Sequence, residues 1–231
     1  MEVTNYRLRL VFRKVGRARF LSHLETVHSL ERVVRRAGLP FAVTQGFSPH
    51  MKLAFGPALP VGCAGLGEYL EVWLTDYVPA HRALEALQAA SASGLMVTEA
   101  SYVTKGDPSL TEYFTVFEYE TSLDLGELGL ADDAAYAAAC EAAVSALLEK
   151  GYIEVERKKK VKRIELSSAF RCEPRVLGAE GGVVRLAFTV QSSPESTLRP
   201  DILLARIAAE AGVEPRIVSM TRVACLPAGE A

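Results

Sequence analysis

Apolar and charged residues alternate from Tyr6 in YRLRLVFRK, the period of a half-buried strand. The period then lengthens. LSHLETVHSLERVVRRAG predicts a helix in which Ser22 caps the start, Glu25 stands at capping-box spacing, and Gly38 and Pro40 end it. FAVT and MKLAF read as short strands, and EYLEVWLT alternates again from Glu68. PAHRALEALQAA is helical with Pro79 suited to its first turn, and LMVTEASYV from Leu95 is a strand. The order is β-α-β-β-α-β, the ferredoxin-like pattern.

After a KGDPS turn the order repeats. EYFTVFEYE alternates from Glu112, and ADDAAYAAACEAAVSALLEKG is a helix with acids in its first turn and Lys150 and Gly151 at its end. YIEVERKKKVKRIEL and EPRVLGAEGGVVRLAFTVQ supply strands, with a turn at Gly181 and Gly182; RPDILLARIAAEAG is a helix and PRIVSMTRVACL a last strand. The expected fold is α+β: two tandem ferredoxin-like halves with antiparallel sheets, 1–105 and 106–231, alike in element order rather than in residue identity. A single larger α+β domain is the alternative.

Composition adds a compartment and a polarity. Cys63, Cys140, Cys172 and Cys225 are scattered, with no CxxC spacing. That pattern argues against a zinc or iron–sulfur site and for a reducing, cytoplasmic setting. No apolar run approaches the ~20 residues of a membrane helix. The net charge of −2 hides an uneven spread. Residues 1–55 carry ten Lys/Arg against three Asp/Glu, a balance of +7; residues 106–150 carry one Lys against ten acids, a balance of −9. A second basic run, RKKKVKR, begins at Arg157. Local fields of this kind steer polyanions.

At about 100° per residue, Val27, Leu30, Val33, Val34 and Ala37 form one stripe of the first helix. His28, Arg32, Arg35 and Arg36 form the opposite face, with Arg17 and Arg19 in the turn before. His23 falls on the apolar side, in the first turn, where the helix dipole favours neutral imidazole. It is expected to pack against the core, and a general-base role is the alternative. The stretch TQGFSPHMKLAFGPALPVG raises a different question. Between Gly46 and Gly67, eight of 22 positions are Gly or Pro, which makes ordered irregular chain rather than a flexible linker. It offers Gln45, Phe47, His50 and Lys52 from a fixed frame. An aromatic, a cation and amide donors suit an unpaired base and a phosphate; alternatively Phe47 is a core residue.

These residues also carry a resemblance. RFLSHLETVHSLERVVRRAGLP, TQGFSPHMKLAFGPALPVG and GEYLEVWL, over residues 5–75, resemble the radical SAM-linked protein family. Its members stand alone or form the C-terminal part of cobalamin-binding radical SAM proteins. Ser22, His23, Leu24, Glu31, Arg32, Gly38, Leu39 and Pro40 fit its pattern. So do Gln45, Gly46, Phe47, Pro49, His50, Lys52, Gly56, Glu68 and Tyr69; KKKVKRIEL and LRPDILLARI fit more loosely. His28 stands where arginine is expected, and Gly67 where serine is expected. The resemblance implies a radical SAM protein as partner. A looser, fold-level similarity points to the RAMP-type CRISPR endoribonucleases, which work without metal.

The sequence lacks a GxxxxGK[ST] loop, a nucleophile elbow and a radical SAM three-cysteine motif. No cofactor or metal is expected. Three readings follow: a non-enzymatic RNA-binding accessory module for a separately encoded radical SAM enzyme, with Arg17, Arg19, Arg32, Arg35, Gln45, Phe47, His50 and Lys52 on nucleic acid; a metal-independent endoribonuclease using His23 or His50; or a protein-interaction scaffold.

Overall fold

The computed structural model describes residues 6–104, 106–157, 160–193 and 197–229. The chain divides into two compact units, Met1–Phe114 and Thr115–Ala231. The first contains β1 (Tyr6–Lys14), a 3-10 turn at Gly16–Phe20, α1 (His23–Arg36), β2 (Leu53–Phe55), β3 (Ala64–Leu74), α2 (Ala80–Ala90), β4 (Leu95–Tyr102) and the short α3 (Leu110–Tyr113). Its strands lie in the order β4-β1-β3-β2, antiparallel throughout, which is the ferredoxin-like arrangement.

Strand alternation decides which face is dry. Leu8, Leu10 and Phe12 of β1, Leu70, Val72 and Leu74 of β3, and Leu95 and Val97 of β4 meet Leu30, Val33 and Val34 of α1 and Ala83 and Leu87 of α2. Each such side chain contributes roughly 1.5–3 kcal/mol by leaving water. The other face carries a buried ion cluster. Glu71 is fully buried, and Arg7 Nε donates to its Oε2 at 2.6 Å. Arg9 donates to Oε1 through Nε at 3.0 Å and Nη2 at 2.9 Å. Arg7 also donates to the carbonyls of Asp107 and Pro108, Arg9 lies over the Tyr113 ring, and Tyr69 stacks on Phe114. These bonds tie 107–114 to the first unit, so the compact units part after Phe114.

The second unit contains β5 (Phe114–Asp124), a 3-10 turn at Gly126–Leu128, α4 (Asp133–Lys150), β6 (Tyr152–Arg157), β7 (Lys160–Glu165), α5 (Leu166–Ala169), β8 (Phe170–Glu180), β9 (Val183–Gln191), α6 (Pro200–Glu210) and β10 (Arg216–Pro227). The order β10-β5-β9-β8 repeats the ferredoxin-like arrangement, with β6 and β7 paired apart as an inserted hairpin. Lys158 and Lys159 of the second basic run lie outside the described residues. Among the described residues no helix is long and apolar enough to cross a membrane.

Two local expectations change. FAVT is not a strand: Phe41 and Val43 make only isolated bridges, to Leu74 and Met51, because Pro40 and the Gly46 turn leave too few residues to extend a ladder. EYFTVFEYE starts as a helical turn. Ser109 and Glu112 form a capping box, with the Glu112 carboxylate accepting from Ser109 N–H at 3.1 Å and from its hydroxyl at 2.7 Å, so β5 begins at Phe114.

Candidate nucleic-acid interface and a second polar pocket

Helix α1 starts where Ser22 Oγ accepts from Glu25 N–H at 3.3 Å and the Glu25 carboxylate accepts from Ser22 N–H at 2.8 Å. That backbone bond holds the Glu25 carboxyl below its usual range. With its register fixed, α1 buries Thr26, Leu30, Val33 and Val34 and exposes His28, Arg32, Arg35 and Arg36. Gly38, at φ +67°, turns the chain out of the helix. The Arg35 guanidinium then sits 5.4 Å from the centre of the Phe41 ring, which joins the basic face to the root of the next loop.

That loop is closed by its own hydrogen bonds. Thr44 N–H donates to the His50 carbonyl at 2.8 Å, and His50 N–H donates to Thr44 Oγ1 at 3.2 Å. His50 Nδ1 lies 3.2 Å from the Ser48 carbonyl and 3.1 Å from Thr44 Oγ1. A carbonyl can only accept, so Nδ1 is the nitrogen that donates to Ser48. Met51 anchors the base of the loop in the core, and Phe47 at the tip is wholly exposed. Lys52 Nζ lies 5.0 Å from the centre of the Trp73 ring, and Arg7 approaches the same ring at 5.7 Å.

The sequence-predicted residues therefore fall into separate groups. Arg32 and Arg35 stand on the exposed face of α1, with Arg35 over Phe41 at the root of the loop that carries Gln45, Phe47 and His50, while the Lys52 ammonium lies over Trp73 on the sheet face of Arg7, away from the helix. Arg17, Arg19 and His23 stand at the N-terminal end of α1. The helix has 14 residues, a length of about 21 Å at ~1.5 Å per residue. His23 and His50 cannot act on one atom.

His23 also needs a correction. It is exposed, not packed into the core. Its ring meets Phe55 edge-on at 5.6 Å. Beneath the first turn of α1 the strand ends carry Lys14 and Glu68 in place of aliphatic residues, so the apolar core stops short of it. His23→Ala should accordingly cost less than about 1 kcal/mol, the scale of a surface change plus one ring pair. Chemical denaturation of the full chain measures this.

Phe12, Lys14, His23, Thr26, Glu68 and the Gly56–Leu59 turn are among the residues that line a small polar pocket. Its free space is about 20 Å³, room for one water molecule. Lys14 is 3% exposed and donates from Nζ to the Leu21 carbonyl at 2.7 Å; Glu68 is 6% exposed. Sequence reasoning passed over Lys14 and Glu71. The signal for Lys14 was a charge on the buried side of an alternating strand; Glu71 stands on the other side of β3, where a charge is expected, and no local pattern marks it. Among the described residues no group of three or more His, Cys, Asp or Glu is placed to hold a metal ion. Burial, with Glu141 adding to it, pushes the Cys140 thiol up to about 11.

Both ends of α1 lie within the stretch that a family model matches, residues 7–200. The chain belongs to DUF2344, a family of uncharacterized proteins conserved in bacteria. No curated protein matches it. A chain in the crystal structure of a Cbf5-Nop10-Gar1 complex aligns at 13% identity and TM-score 0.51, over 94% of this chain and 48% of that one, so this chain spans about half the length of that neighbour. An unknown protein from Galdieria sulphuraria aligns at 14% identity and TM-score 0.27, over 93% of this chain and 98% of that one. The Cbf5-Nop10-Gar1 neighbour is not a CRISPR endoribonuclease, and the likeness to those enzymes rests on element order.

Proposed function

We propose that this DUF2344 protein is a non-enzymatic accessory module that binds nucleic acid, RNA in particular, and works beside a separately encoded radical SAM enzyme. The observation that carries the reading is Phe47, wholly exposed at the tip of a loop closed by Thr44 and His50. A ring held in water by a rigid loop can stack on an unpaired base, an interaction of about 1–3 kcal/mol per base. Arg32, Arg35 and Arg36 on the exposed face of α1 supply phosphate contacts. His50 Nε2 makes none of the loop's own hydrogen bonds, which run through Nδ1, so it can meet a base edge or a ribose hydroxyl. The three sequence motifs that resemble radical SAM-linked proteins support the partner. The four scattered cysteines leave any cluster to that partner.

The test is fluorescence polarisation with a single-stranded oligouridine. Three phosphate contacts give a log–log salt slope of about −2.1, so affinity should fall roughly 20-fold from ~50 to ~200 mM salt. Arg35→Ala should flatten that slope by about 0.7. Phe47→Ala should weaken binding about tenfold or more with the slope unchanged, because stacking is lost and no charge is. A slope near zero, or equal affinity of the Phe47 variant, would sink the reading. The RNA should be recovered uncleaved; metal-free cleavage lost in His23→Ala or His50→Ala would favour an endoribonuclease instead.

A further inference from the structure

We infer that the N-terminal end of α1 is a docking surface for a protein partner, and that its occupant is an acidic segment bearing a large apolar side chain. Phe20, Leu24 and Val61 are 58%, 68% and 58% exposed. They stand on neighbouring segments. Leu24 follows His23, which lines the polar pocket together with Pro57, Ala58 and Leu59. Gly62 N–H donates to the Arg19 carbonyl at 2.9 Å, which sets Val61 beside the Gly16–Phe20 turn. Single exposed apolar side chains are ordinary on a protein surface; these three stand on neighbouring segments beside the pocket, and such a grouping marks an interaction site.

Charge identifies the occupant. Arg17 and Arg19 flank the apolar centre. The Arg19 guanidinium lies 4.8 Å from the centre of the Phe20 ring, so the cation is held at the patch. Arg19 Nε is buried with no hydrogen-bond acceptor among the described residues. An incoming carboxylate meets a guanidinium already fixed against the Phe20 ring, the kind of anionic partner that arginine favours. The local acids do not compete for it: Glu25 is turned back onto Ser22 N–H, and Glu68 is buried. What faces outward is an apolar centre with a cationic rim. It is complementary to an apolar side chain next to a carboxylate. This surface lies at the opposite end of α1 from Phe47, and the inference does not rest on the nucleic-acid reading.

The test is an NMR titration of the isotope-labelled full chain with two short synthetic peptides. One alternates glutamate with leucine and phenylalanine; the other has lysine at each glutamate position. The acidic peptide should produce saturable amide shifts confined to residues 17–24 and 58–62, and the lysine peptide none. Arg19→Gln and Leu24→Ser should each weaken binding about tenfold or more, with spectra otherwise like wild type, which shows the fold intact. Phe47→Ala should bind the acidic peptide unchanged, so this result and that of the oligouridine experiment can fail separately. No shifts, equal response to both peptides, or the same shifts with oligouridine would overturn the proposal. So would shifts at this patch that follow protein concentration alone, which would assign it to a second copy of the chain.

Discussion

Glu71→Ala is expected to destabilise the chain by about 3–5 kcal/mol, the cost of breaking a buried ion pair from one side. The carboxylate is fully buried, and its two guanidinium partners are each 15% exposed. Removing it leaves Arg7 and Arg9 side by side on one face of β1 with two positive charges and little water; Arg7 keeps the Asp107 and Pro108 carbonyls, while Arg9 loses the acceptor of its Nε and Nη2. Glu71→Gln keeps an acceptor and loses the charge, so it should cost less than Glu71→Ala. The loss should also spread. Arg7 holds the Asp107 and Pro108 carbonyls, and Arg9 lies over Tyr113, so 107–114 should loosen with the cluster. Chemical denaturation gives the free energy, and limited proteolysis reads the loosening. A cost below about 1 kcal/mol would place the pair among salt bridges of surface strength and refute this account of the open sheet face.

Gly65→Ala is the second large effect, from one methyl group. A Cβ at Gly65 would lie 2.6 Å from Glu68 Cγ and Oε1 and 2.8 Å from Cδ. The Glu68 side chain is folded over the Gly65 backbone, in the space a side chain would take. It is 6% exposed and shares the pocket with Lys14, so it has little room to swing aside. Overpacking of this kind costs about 1–3 kcal/mol. Its cause can be isolated by a double-mutant cycle. In a Glu68→Ala background the clash is gone, and adding Gly65→Ala should cost almost nothing further. If the two changes are instead additive, Gly65 is required for some other reason.

The proposed docking surface and the proposed nucleic-acid interface divide one helix between them. Its N-terminal end offers apolar side chains and two arginines; its C-terminal end offers a cationic face and a displayed ring. A module that grips a polynucleotide at one end and a protein at the other suits an accessory role.

Much of this arrangement was legible from the chain alone. Local rules fix local features: alternation fixed the faces of β1 and β3, and Ser22 with Glu25 fixed the start of α1. Charge and glycine content marked the loop that presents Phe47. These signals need no partner in space, since a capping box or a period of two acts within a few residues. The sequence left Phe47 open between core and surface, and only the fold shows the hydrogen bonds from Thr44 to His50 that hold it out in water. His23 was misplaced for the same reason. A helical wheel gives the direction of a side chain but not how far the core beneath it extends, and here the core ends at Lys14 and Glu68. Arg7, Arg9 and Glu71 come together across about sixty residues of chain, a pairing set by the register of β1 on β3 rather than by any local motif. That register is a tertiary property, because it depends on where the two helices seat their apolar stripes.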